Sequence, residues 1–180
     1  MPASPLITVM TGAARKAARA VSRDFGEVEN LQVSQKGPAD FVTRADRKAE
    51  KIIVEELKRA RPKWGFHLEE GGEIAGTDGQ HVWVVDPIDG TTNFIHGIPH
   101  FAVSIGLTRN GEPVAGVIYN PITDELFAAE RGGGAYVNDR RLRVSGRRDI
   151  SDAVIACGIP HRGRGDHAEF RRELAQVQAK

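Results

Sequence analysis

The sequence of 180 residues has a single cysteine, Cys157, so no disulfide can form within the chain. That scarcity fits a reducing compartment better than a secreted one. Long apolar runs are also missing: nothing approaches the ~20 consecutive apolar residues that a bilayer span requires. Met1 to Met10 has no basic stretch leading into a long apolar core, so no signal peptide is read there. The expected location is the cytoplasm, with no membrane association. An excess of charge is lacking too. The net charge of +1 gives no electrostatic reason to expect nucleic acid or a membrane surface as partner. No internal repeat, low-complexity linker or EF-hand loop pattern is present. Cys157, beside Gly158, reads as a small buried thiol rather than a nucleophile.

What is there suits one domain with a sizeable core: 40% hydrophobic and 27% charged residues. Leu6, Met10, Ala13, Ala14, Ala17 and Val21 recur at helical spacing, which predicts a helix over about residues 5–24. Ala49, Ile52, Ile53, Leu57 and Ala60 mark a second amphipathic helix. Thr43 and Asp46 resemble its N-terminal cap, and Pro62 stops it. The period then changes. "WGFHLEE", "HVWVVD", "HFAVSIGLTR", "EPVAGVIYNP", "DELFAAERG" and the pair around "AYVNDRRLRV" are short apolar or alternating runs separated by Gly, Pro, Asn and Asp. They read as strands joined largely by hairpins. From about Asp166 to Lys180 a helical stripe returns with Phe170, Leu174 and Val177, and it needs a surface to bury against. The fold class expected is layered α+β (α/β), with helices packed on a largely antiparallel sheet.

The chemistry concentrates in "VVDPIDGTTNF", Val84 to Phe94. The run Val82–Val85 predicts a strand, which Asp86 is the first residue to leave. Pro87 then forbids a further ladder bond. Across the tight turn Asp86 and Asp89 face one point. Two carboxylates that close repel unless a cation neutralises them. Oxygen-only ligands favour Mg²⁺, Ca²⁺ or Mn²⁺ over zinc. Gly90 lets backbone approach a ligand, and N–H groups opening a short helix attract anions. Metal beside anion site suggests a phosphate ester, with Thr91 placed to orient an attacking water. Glu69 and Glu70 end another predicted strand and so point to opposite faces; Glu69 is the one assigned to the metal. Taken singly, each piece has a plainer reading: a turn, a solvated strand end, a helix cap, and for Lys36 a surface lysine.

Together and in this order, "WVVDPIDGTTNFIHGIPHFAVSIGL", "KGPADFVTRADRKAE", Glu69-Glu70 and "GEPVAGVIYNPITDELFAAERGGGAYVND" resemble the inositol monophosphatase family of Mg²⁺-dependent, lithium-sensitive phosphatases. The resemblance covers nearly all of the chain. It implies an αβαβα sandwich, of which this would be the N-terminal part, and two or three Mg²⁺ ions, with Mn²⁺ as a substitute. It implies that Glu69, Asp86 and the Ile88 carbonyl hold one ion, and Asp86 and Asp89 a second. Gly90, Thr91 and Asp89 would bind the phosphate. Thr91 paired with Asp46 would position the attacking water, Glu69 would help bind it, and Lys36 would lie near the metals. The implied substrate is a small phosphorylated polyol, inositol 1-phosphate foremost, and the implied assembly is a homodimer.

The family's later Trp-Asp motif, whose aspartate completes the second metal site, has no counterpart in this sequence. The expectation is a single domain over residues 1–180 that lacks the C-terminal metal- and sugar-binding part. Turnover by the 180 residues would then be reduced or absent, and apolar surface would be left exposed. A smaller departure is Leu68 before Glu69, where many relatives carry glycine. Three other readings stand beside this one. The first is a histidinol-phosphate type of phosphatase. The second is a non-catalytic module acting through protein or RNA contacts, for which "HRGRGDH" is the feature to weigh against a plain solvated loop. The third, a Ca²⁺-binding structural domain, explains neither Thr91 nor the anion-ready turn.

Overall fold

The computed structural model describes residues 4–26, 33–37, 40–160 and 165–179, with backbone alone for 33–37 and 40–43. The side chains of Lys36 and Thr43, and most of "HRGRGDH", therefore lie outside the described residues. The chain forms two compact units, Met1–Ser34 with Phe41–Leu142, and Gln35–Asp40 with Arg143–Lys180.

The first unit carries two long helices on one face of a sheet. Helix α1, Pro5–Phe25, starts where Ser4 accepts a hydrogen bond from the Ile7 N–H and Pro5 takes the first helical position. Its buried stripe is rich in small residues: Ala13, Ala14, Ala17 and Ala18 between Met10 and Val21. Helix α2, Arg44–Ala60, packs along it, with Lys16–Glu56 and Lys48–Asp24 pairing across the rim. Leading into α2, strands β1 (Val33–Gly37) and β2 (Asp40–Thr43) form a two-stranded ribbon. The apolar face of α2 buries Ala45, Ala49, Ile53 and Leu57. The same face also buries two acids, Asp46 and Glu50, which apolar periodicity alone does not reveal.

The sheet has eight strands in the order β10-β9-β8-β7-β6-β5-β3-β4. They are β3 (Gly65–Leu68), β4 (Gly72–Ile74), β5 (His81–Asp89), β6 (Ala102–Arg109), β7 (Glu112–Asn120), β8 (Glu125–Glu130), β9 (Gly134–Val137) and β10 (Arg140–Arg141). Of the pairings within this sheet, only that of β3 with β5 is parallel. The layered, largely antiparallel α+β architecture expected from the sequence is the one observed. Helix α1 lies over β6, β7 and β8, and α2 over β5. Alternate residues Trp83, Val85, Val103, Ile105, Leu107 and Val117 point into the core beneath them. The β6–β7 hairpin turns on Asn110-Gly111, both at positive φ (53° and 80°), which is why this dipeptide stands there.

In the second unit, helix α4 (His167–Gln178) is capped by Asp166, which accepts from the N–H groups of Ala168 and Glu169. Its stripe of Phe170, Leu174 and Val177 is not buried. Cys157 corrects the sequence expectation. It is exposed, because Ala153–Pro160 forms no helix or strand that would carry it into a core.

Candidate metal and phosphate site

Strand β5 does not end at Val85. It pairs with β6 through Asp86↔Ser104 and again at Asp89↔Ala102. From Asp86 to Asp89 is three steps on β5, against two from Ser104 to Ala102 on β6, so β5 carries one extra residue. This is a β-bulge, with Pro87 and Ile88 inside it. Proline has no N–H to lose there, and a bulge re-aims the side chains that flank it. The bulge rather than a strand terminus turns the two aspartates, which corrects the reading of Asp86 as the first residue past the strand.

On the other side of β5, β3 stops at Leu68. Glu69 and Glu70 sit in the β3–β4 turn rather than on the strand. The Glu69 N–H donates to the Val85 carbonyl at 3.2 Å, which pins Glu69 beside the start of the bulge. There its carboxyl hydrogen-bonds the Asp86 carboxyl, and Asp89 is near enough to repel it. Burial first, then Glu69 and Asp89, push Asp86 up to about 8, while the Ile88 N–H pulls the other way. Asp86 Oδ1 is buried and finds no hydrogen-bond partner among the described residues. Glu70 is turned elsewhere: its N–H donates to Glu50 Oε2 at 2.9 Å, and its carboxylate lies 3.8 Å from the Arg47 guanidinium. Glu69, the acid assigned to a metal from the sequence, lies beside Asp86 and Glu70 does not; a turn and not strand alternation separates the two.

Does this cluster suit a divalent cation? The donors are all oxygens, the charge excess is negative, and one buried carboxylate oxygen lacks a partner. In those respects the residues fit a hard cation. Among the described residues, no three His, Cys, Asp or Glu side chains stand arranged to hold an ion as they are.

The turn beyond the bulge is held tightly. Gly90 has φ 95° and caps helix α3, Thr91–Ile95. A Cβ on Gly90 would stand 2.9 Å from the His100 carbonyl oxygen, so glycine is required by both conformation and space. The Phe94 N–H reaches back to the Gly90 carbonyl. The N–H groups before it fall outside the helical ladder. Phe94 is fully buried and packs on Phe25 and Phe101 at 5.6 and 5.1 Å between ring centroids, so the turn rests on an aromatic cluster. Thr91 Oγ1 donates to the Ile88 carbonyl at 3.0 Å. That bond fixes the hydroxyl and leaves its lone pairs to accept from a water. Asp46 is buried in the first turn of α2, the helix that packs on β5.

Glu50 was missed in the sequence. It lies one helical turn beyond Asp46, so both project from one face of α2. Its carboxylate holds the Glu70 N–H, and its Oε1 would meet a Cβ on Gly71 at 3.0 Å. It supports the loop that carries Glu69. The available signal was the spacing: two acids at i and i+4 on a face otherwise made of Ala, Ile and Leu.

A family profile described as the inositol monophosphatase family matches residues 3–180. The chain belongs to the inositol monophosphatase family. As a member it is 63% identical over 177 residues to the inositol-1-monophosphatase of Rhizobium meliloti, covering 98% of this chain and 66% of that protein. It is 41% identical over 173 residues to the protein named Nus factor SuhB of Vibrio cholerae, covering 96% of this chain and 65% of that one. Among solved structures, the extragenic suppressor protein suhB of Bartonella henselae superposes with a TM-score of 0.94 at 62% identity, over 98% of this chain and 68% of that one. This family member thus spans about two thirds of the length of such relatives. Among the described residues, no helix is long and apolar enough to cross a membrane.

Proposed function

We propose that the chain carries the metal and phosphate half of a Mg²⁺-dependent phosphatase acting on small phosphorylated polyols, inositol 1-phosphate foremost. The observation that carries this reading is the bulge at Asp86–Asp89. It sets Asp89 near the Asp86–Glu69 pair and, among the described residues, leaves a buried Asp86 oxygen without a hydrogen-bond partner, directly before a glycine-led turn with N–H groups outside the helical ladder.

In this reading Glu69, Asp86 and the Ile88 carbonyl hold one Mg²⁺, and Asp86 with Asp89 part of a second. A bound ion supplies polarisation of the phosphoryl group and a lower pKa for a water. The chain's own residues do the rest. The backbone N–H groups at Gly90 and Thr91 receive phosphate oxygens, aided by the partial positive charge at a helix start. Thr91, its hydroxyl proton committed to Ile88, accepts a hydrogen bond from the attacking water and so orients it. Asp46, buried in the first turn of α2, is the acceptor for a proton from that water. Glu50 keeps the Glu69 loop in place.

The test is phosphate release from inositol 1-phosphate with and without Mg²⁺, beside Asp89→Asn. Mg²⁺-dependent release that the variant loses supports the reading. Release that ignores Mg²⁺ or survives the substitution refutes it. A second reading, action through contacts to protein or RNA without turnover, draws on the likeness to proteins named Nus factor. A folded chain that binds Mg²⁺ and phosphate without releasing any would favour it.

A further inference from the structure

A cavity of about 240 Å³ opens between the N-terminal half of α1 and the strands β8 and β9. Ile7 of the helix and Leu126 and Ala128 of β8 give it apolar walls. Ile7 is buried, and the two strand residues pack against the core from its edge. The cavity shares no residue with the Asp86–Thr91 turn. Charged groups line it as well: Arg15 of α1, Glu130 of β8 and Asp139 of the β9–β10 turn. Among the described residues, these opposite charges form no ion pair and no hydrogen bond with one another. Arg15 is drawn aside instead. Its guanidinium stands over the Tyr119 ring, 5.5 Å from the centroid, and the Tyr119 hydroxyl is itself anchored on Asp124 Oδ1 at 2.9 Å. Asp139 is set by its backbone, at φ 66° in the turn.

We propose that this cavity binds a free aliphatic α-amino acid, about the size of leucine, as a zwitterion. The site is separate from the phosphate turn, so the inference does not rest on the phosphatase reading. Charge decides the class of ligand. Arg15 in the lining, and Arg141 bordering it beside Gly134, stand against Glu130 and Asp139, so the charges on and around the cavity cancel. A lone anion pairs with Arg15 but faces two carboxylates, and a lone cation meets the reverse. A zwitterion gives its carboxylate to Arg15 and its ammonium to Glu130 and Asp139, and so joins groups that do not meet in the free protein. A guanidinium takes a carboxylate through two parallel N–H bonds. Stacking on Tyr119 already orders the Arg15 side chain, which lowers the entropy lost on binding. The walls decide the rest of the ligand. Ile7, Leu126 and Ala128 take an aliphatic side chain out of water, which favours leucine over glycine. A pocket of about 150 Å³ holds benzene, and this one is roughly half again as large, which suits a branched aliphatic chain with its two charged groups.

The experiment is calorimetric titration of the full chain with L-leucine, with glycine, and with isocaproate and isoamylamine, which are leucine without its ammonium and without its carboxylate. The expected result is saturable L-leucine binding at least tenfold tighter than that of the other three. Arg15→Gln should weaken L-leucine at least fivefold and remove its advantage over isoamylamine. The double variant Glu130→Gln, Asp139→Asn should weaken it as much and remove its advantage over isocaproate. Arg15 and Asp139 are exposed and Glu130 is half-buried, so the core is left intact, and circular dichroism checks that each variant is folded. Asp89→Asn should leave L-leucine binding within twofold. No binding of L-leucine overturns the assignment, as does equal binding of any of the other three ligands. Unchanged L-leucine affinity in both the Arg15 and the double variant overturns it too. Loss of L-leucine in Asp89→Asn would put the ligand at the phosphate turn and refute the separate site.

Discussion

Gly90→Ala tests whether the turn is built as described. Gly90 has φ 95°, and an L-residue held in the left-handed region costs roughly 1–2 kcal/mol. The added Cβ would also stand 2.9 Å from the His100 carbonyl oxygen and 3.3 Å from Phe101 Cα. Relief requires moving the backbone before β6, and overpacking of this kind costs about 1–3 kcal/mol. The expected loss is therefore about 2–5 kcal/mol, the sum of the two effects. Gly97→Ala is the control. Gly97 has φ 69°, but a methyl group added there would meet nothing within 4 Å, so only the conformational cost of about 1–2 kcal/mol applies. Urea unfolding at pH 7 of both variants and the parent measures the difference. Gly90→Ala should fall well below Gly97→Ala and should lose phosphate binding in Mg²⁺, because Thr91 is displaced. Equal losses for the two glycines would refute the close approach, and with it the claim that the turn is pinned against the start of β6.

Asp86→Asn should stabilise the ion-free chain and abolish its response to Mg²⁺. The folded pKa is raised from 3.8 to about 8, so stability is fully present below about 3.8 and is lost as pH rises toward 8. At about 1.4 kcal/mol per unit the ceiling is near 6 kcal/mol, and partial exposure and sharing with Glu69 and Asp89 bring the expected gain to about 1–3 kcal/mol at pH 9. Thermal melts with EDTA across pH 5–9 should show the gain growing with pH; a constant difference counts against the cause given. Glu50→Ala leaves the Glu70 N–H without its acceptor, for a loss of about 1–3 kcal/mol, and should weaken Mg²⁺ binding although Glu50 is no ligand. Unaltered Mg²⁺ affinity would remove its supporting role. Phe94→Ala empties the aromatic cluster under the turn and should cost about 3–5 kcal/mol in denaturant unfolding, with phosphate binding falling in parallel.

The local chemistry could be read along the chain because it depends on neighbours in sequence. Helical spacing marked α1 and α2, and alternation marked β5 to β8. The order Asp-Pro-Ile-Asp-Gly-Thr-Thr-Asn raised the expectation of a cation and phosphate turn independently of any tertiary contact. Apolar spacing placed the start of α1 near residue 5, where Ser4 and Pro5 begin it, and an Asn-Gly pair stands at the β6–β7 turn. Strand ends were less legible. Whether β5 stops at Val85 or runs on through a bulge depends on whether Ser104 and Ala102 of β6 are there to pair, and no feature of Val84–Phe94 contains that information. The exposure of Cys157 was likewise undecidable from its own neighbours.

The sequence by itself determined which residues could do chemistry: carboxylates at 69, 86 and 89, a glycine at 90 and a hydroxyl at 91, with period-2 and period-3.6 segments to carry them. Only the tertiary structure decided which of them meet. Parallel pairing of β3 on β5 brings Glu69 to Asp86, although sixteen other residues lie between them in the chain. That proximity turns two ordinary acids into a crowded pair with one oxygen unpartnered. Burial of Glu50 under the same loop, and the cavity between α1 and the strands β8 and β9, arise the same way. Their cause is desolvation and close approach between elements remote in sequence, and those forces act only once the sheet has assembled.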